Sequence, residues 1–96
     1  MPSEPGERPG DTRLQAAREA EASLRRRLAG LAADRSRADA EADRLERRST
    51  IPDGRGLAEP AAAHRARSVA LAAEMEATRK DLRAAEATVA RLEAGI

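Results

Sequence analysis

Few side chains in this sequence have the chemistry to build a site. His64 is the one group that titrates near neutral pH, and it sits on an apolar stripe. It reads either as a pH-sensitive element of that stripe or as a part-exposed imidazole bonded to water or to Ser68. One His in a chain with no Cys gives no multi-histidine or thiolate zinc site, no thiol nucleophile and no disulfide. No Ser or Asp stands near His64 in a spacing that resembles a nucleophile and its base. The acids Glu74 with Glu76, and Asp39, Glu41 and Asp43, are spaced by two; on a helix such neighbours point apart and do not converge on one ion. P-loop and dinucleotide fingerprints are absent. Two clusters have the charge to hold phosphate, Arg25-Arg26-Arg27 and Arg47-Arg48. Acidic neighbours such as Asp34, Asp43 and Glu46 dilute them, and no aromatic ring is present to stack a base. The expectation is a non-enzymatic chain with no catalytic residue, cofactor, metal or small-molecule substrate.

The elements that would carry these residues follow from composition. Of 96 residues 24 are Ala and none is aromatic, which leaves 15 larger apolar side chains. That is too little for a compact globule of this length. The net charge of +1 argues against a disordered polyelectrolyte, and Ala, Arg, Glu and Leu all rank high in helix propensity. Lys80 is the only Lys beside 17 Arg, a bias resembling GC-rich codon usage, which explains arginine number without any selection for function.

The first ten residues contain three Pro and two Gly and read as a disordered tail rather than a signal peptide. No run approaches the roughly 18 apolar residues of a membrane span, so a soluble, cytoplasmic chain is expected. Residues 11–49 read as a first helix, with Thr12-Arg13-Leu14-Gln15 as a capping box and Asp11 as a rival cap. Gly30 is its one weak point, in the smooth patch Leu28-Ala29-Gly30-Leu31-Ala32-Ala33, which reads equally as a docking surface or as a seam flank. Residues 50–58 hold the turn cluster Ile51-Pro52-Asp53-Gly54-Arg55-Gly56. Residues 59–95 read as a second helix, with Pro60 in its first turn and Gly95 as its C-cap.

Both helices carry heptads. In the first, d positions are Ala17, Leu24, Leu31, Ala38 and Leu45, and a positions are Leu14, Glu21, Leu28, Arg35, Ala42 and Ser49. In the second, a positions are Ala61, Ser68, Met75, Leu82, Val89 and Ile96, and d positions are His64, Leu71, Thr78, Ala85 and Leu92. Seams of this length signal a coiled coil, and a short turn makes the helices antiparallel. Folding about Asp53-Gly54 sets Leu14 opposite Leu92, Leu24 opposite Leu82, Leu31 opposite Met75, Ala42 opposite His64 and Leu45 opposite Ala61. The flanking e and g positions then predict ion pairs Arg18–Glu93, Arg25–Glu86, Glu46–Arg65, Glu41–Arg67 and Arg27–Asp81, with Asp34 and Glu74 alike in charge. A one-heptad slip, with Leu31 on Leu82 and Ala42 on Leu71, also packs.

The fold expected is therefore an all-α, two-helix antiparallel coiled-coil hairpin with a disordered N-terminal tail. Its working residues are the seam, Leu14, Leu24, Leu28, Leu31, Leu45, Leu71, Met75, Leu82, Val89 and Leu92, which pack and select a partner. Two helices only half-cover such a seam, so another protein or a second hairpin, in a homodimeric four-helix bundle, is the expected partner. The two-helix architecture is similar to that of small coiled-coil stalk proteins of bacterial type III and flagellar export, which touch a ring ATPase, and of short cell-division coiled coils. That resemblance covers the architecture alone and rests on no motif. It implies a structural or adaptor part of a larger assembly. The second reading is a small dimer that holds nucleic acid through Arg25, Arg26, Arg27, Arg47 and Arg48.

Overall fold

A computed structural model describes residues 9–50 and 56–95. The expected tail before Pro9, the turn residues 51–55 and Ile96 lie outside the described residues. Two long helices account for almost everything described: α1 spans Pro9–Ser49 and α2 spans Ala58–Glu93. No strand occurs among the described residues.

α1 opens earlier than the capping-box pattern predicts. It begins at Pro9, a residue type whose preset φ and missing amide suit a first helical turn. Thr12 consequently falls inside the helix, and Gln15 Nε2 donates forward to Glu19 Oε1 at 3.2 Å instead of reaching back. α2 starts after Leu57 with no side-chain cap; the Ala61 amide donates to the Leu57 carbonyl at 3.1 Å, and Pro60 sits in the first turn. Its far end closes as the sequence predicts. Gly95 adopts φ +77, left-handed backbone that glycine accepts without strain, and its amide donates to the Leu92 carbonyl at 3.2 Å. Gly56, at φ +80, supplies the same freedom just before α2.

The helices lie antiparallel as a rod of 74 × 26 × 13 Å. The smallest dimension is about one helix diameter, so the molecule is a single layer of two helices. Each seam residue then meets a neighbour across the seam and solvent above and below it. Burial reflects this unevenly. Ala38, Ala42, Leu45, Ala61, Ser68, Leu71, Met75, Thr78 and Val89 are buried, and all but Thr78, near the middle, and Val89 lie in the turn-side half of the rod. Leu14, Leu24, Leu28, Leu31, Leu82 and Leu92, most of them toward the open end, are only half-buried. The buried layers combine small side chains, Ala38, Ala42, Ala61 and Ser68, with the larger Leu45, Leu71 and Met75. The buried Thr78 hydroxyl is satisfied, donating to the Glu74 carbonyl at 2.8 Å.

Three substitutions test this arrangement. Leu24→Asp puts a charge into the seam and should collapse the cooperative thermal transition followed by circular dichroism, while Val69→Asp, at a side chain 71% exposed, should leave it in place. Gly30 has no neighbouring atom within 4 Å of where a Cβ would sit, so Gly30→Ala should raise stability by roughly 1 kcal/mol and the melting midpoint with it.

Candidate interaction surface

The rod has two long edges beside the seam, and they differ. Along the e edge the helices are tied to each other. Arg18 Nη2 donates to Glu93 Oε2 at 2.8 Å and Arg25 Nη2 to Glu86 Oε2 at 3.0 Å, near the open end. Toward the turn the signs exchange: Arg65 Nε, on α2, donates to Glu46 Oε1 at 3.0 Å on α1. These are three of the five predicted pairs, and together they set the register without the one-heptad slip. A slip of that kind carries Arg65 away from its acids.

Arg65 is more heavily used than its heptad position alone indicates. Its guanidinium also bonds Asp43, and Asp39 Oδ1 accepts from Nη1 at 3.2 Å. Asp39, Asp43 and Glu46 stand at spacings of four and three, one face of α1, and it is this spacing that marks them as a convergent group in the sequence. The contacts are exposed or, for Asp39, part-buried, and individually weak, and the value of the set lies in specifying orientation. The effect on ionisation is visible. Hydrogen bonds that its guanidinium donates to Glu46 and Asp43 raise the Arg65 pKa. The Asp39 carboxyl is held below its ordinary value, first by the Ser68 hydroxyl and then by the charges of Arg65 and Arg35.

The g edge is organised otherwise, and two predicted pairs are not formed there. Glu41 turns to Arg44 on its own helix, which donates from Nε at 3.0 Å, rather than to Arg67. That bond lowers the Glu41 pKa and raises that of Arg44. Asp34 is likewise bound by Arg37, three residues on. Arg27 and Asp81 make no ion pair among the described residues. Partners within one helix turn are always in reach, whereas a pair across the seam requires both long side chains to be held out straight, so the local bond wins. The result is an open groove between α1 and α2 lined by Ala38, Ala40, Glu41, His64 and Arg67. His64 is half-buried on its wall, and its charge contributes to the lowering of Glu41. Ser68, the neighbour that the sequence offers to His64, is buried and helps to lower the Asp39 carboxyl.

The predicted seam residues fall on one stripe: Leu45, Leu71, Met75 and Val89 are buried, and Leu14, Leu24, Leu28, Leu31, Leu82 and Leu92 are half-buried. Arg35, at an a position, is exposed and approaches Asp39 at 4.0 Å. The predicted phosphate contacts divide. Arg25 is spent on Glu21 and Glu86, while Arg26, Arg27, Arg47 and Arg48 are exposed and form no ion pair among the described residues. No group of three or more His, Asp or Glu is placed to hold a metal ion among the described residues, and no described helix is long and apolar enough to cross a membrane. Compared with known families, curated proteins and solved structures, the chain matches none at a significant level.

The depressed carboxyls make a pH prediction. A group whose pKa is lowered by folding stabilises the fold above the ordinary carboxylate range, and that contribution is lost as the pH falls below about 4. The melting midpoint should therefore be flat from about pH 7 to 5 and fall below about pH 4, as followed by circular dichroism. A midpoint that holds or rises on acidification would show that the lowered carboxyls of Asp39 and Glu41 contribute nothing to the fold.

Proposed function

We propose that this chain is a non-enzymatic coiled-coil adaptor, a structural part that joins protein to protein in a larger assembly. The observation that supports it is a seam left half-covered: six leucines stay part-exposed along a rod one helix thick, beside an edge whose charges are not tied across the helices. Apolar side chains at heptad spacing are the anchors by which helices recognise other helices. The chemistry offered is thus burial and charge matching rather than bond making.

A second reading rests on Arg26, Arg27, Arg47 and Arg48. They occupy the same two heptad positions three heptads apart, about 30 Å along α1, with their charge unspent among the described residues. Two copies of such a helix would offer phosphate a basic edge. Asp34 and Glu41 interrupt it between the two clusters, which places this reading second.

Purification of the tagged full chain from its host, at about 50 and 200 mM salt, separates the two. The adaptor reading expects a stoichiometric protein partner that survives the higher salt, and a ring ATPase among the retained proteins would assign the secretion-stalk class. Nucleic acid that is lost steeply over that range would favour the second reading. Recovery of the chain without any partner protein would overturn the adaptor proposal.

A further inference from the structure

From the two unlike edges we infer that the g edge is the docking face for a second copy of this chain, giving a four-helix bundle in which both turns lie at the same end. This rests on the adaptor reading and names one occupant of the seam. The e edge is already bridged by Arg18–Glu93, Arg25–Glu86 and the Arg65 cluster, so an incoming helix would have to break interhelical ion pairs there. The g edge has none to break. Its Arg27, Arg67, Glu74 and Asp81 form no ion pair among the described residues.

Charge and burial both choose the arrangement. A two-fold axis parallel to the helices keeps every residue at its own height and sets α1 against the other copy's α2, antiparallel. Arg27 then meets Asp81 of the second copy, the complementary pair that the sequence encodes and a single hairpin leaves unmade, while Arg67 comes level with its Glu41, a carboxylate already bonded to Arg44. The like-charged level, Asp34 with Glu74, is relieved on one side because Asp34 is bound by Arg37. Turns at the same end also bring together the regions that need cover. The half-buried Leu14, Leu24, Leu82 and Leu92 lie toward the open end of each rod and would share one layered core, whereas the reversed bundle would set them on the closed Ala38 and Ala42 layers. Burial of that apolar surface drives association, and the charges select the arrangement.

The test is a charge exchange read by sedimentation equilibrium of the full chain, with helicity checked by circular dichroism. The unmodified chain should move from 10.3 kDa toward twice that mass as concentration rises through the micromolar range. Arg27→Glu alone and Asp81→Arg alone should each weaken self-association about tenfold, because each symmetric dimer then contains two like-charged contacts. Mixed in equal amounts, the two variants should recover the original affinity, since every contact becomes complementary. Arg83→Glu, at an exposed position outside the g edge, should change nothing. A chain that stays at 10.3 kDa with full helicity, or a mixture that fails to recover, would overturn the inference. If an exchanged variant loses its helicity, Arg27→Gln and Asp81→Asn take its place, and dimerisation unweakened by either would overturn it as well. A monomer that still retains a partner from its host removes only the second copy and leaves the adaptor reading; a dimer that retains none does the reverse.

Discussion

Two helices side by side can cover each other along only one line, and the rest of this structure depends on that constraint. With no aromatic side chain and only 15 apolar residues larger than Ala, the chain has no means of building a second layer from its own sequence. Its buried layers combine small and large side chains, Ala38, Ala42, Ala61 and Ser68 with Leu45, Leu71 and Met75. Most leucines toward the open end keep part of their surface in water, and apolar area left there is hydrophobic gain not taken by the hairpin.

Charge does the work that a larger core would otherwise do in choosing one arrangement. Along the e edge, α1 is basic at Arg18 and Arg25 and acidic at Asp39 and Glu46, while α2 runs the opposite way from Arg65 to Glu86 and Glu93. Such a pattern is satisfied in one direction and one register. The individual bonds are exposed and weak, but a slipped or parallel pairing would set several of them against like charges or alanines at once.

Much of this was legible in the residues. A seven-residue period in Leu, Ala and Met is a geometric statement, so the two helices, their seam and their antiparallel pairing follow directly, as does the left-handed Gly95 at the end of α2. What escaped is what sequence spacing does not rank. Glu41 has two arginines within reach, Arg44 and Arg67, and heptad logic favours the distant one, whereas side-chain entropy favours the near one. Asp39 and Asp43 look like solvated acids until Arg65 is placed between them and Glu46. The opening of α1 at Pro9 escaped for a related reason: a capping pattern at Thr12 says a helix is able to start there, not that it does. Function is harder to read because a seam names no partner, and burial is the same chemistry whichever helix supplies it.

The antiparallel register, finally, places the last turn of α2 beside the stretch of α1 around Arg18, with Arg18 and Glu93 as the outermost bridge. A pull applied between those two segments therefore loads the layers one after another, and the rod unzips from its open end toward the buried layers Ala38, Ala42 and Leu45. Tension applied along the rod, between that end and the turn, is instead shared by all the layers together. The same hairpin is thus mechanically compliant in one direction and resistant in the other, a property of its topology rather than of any residue.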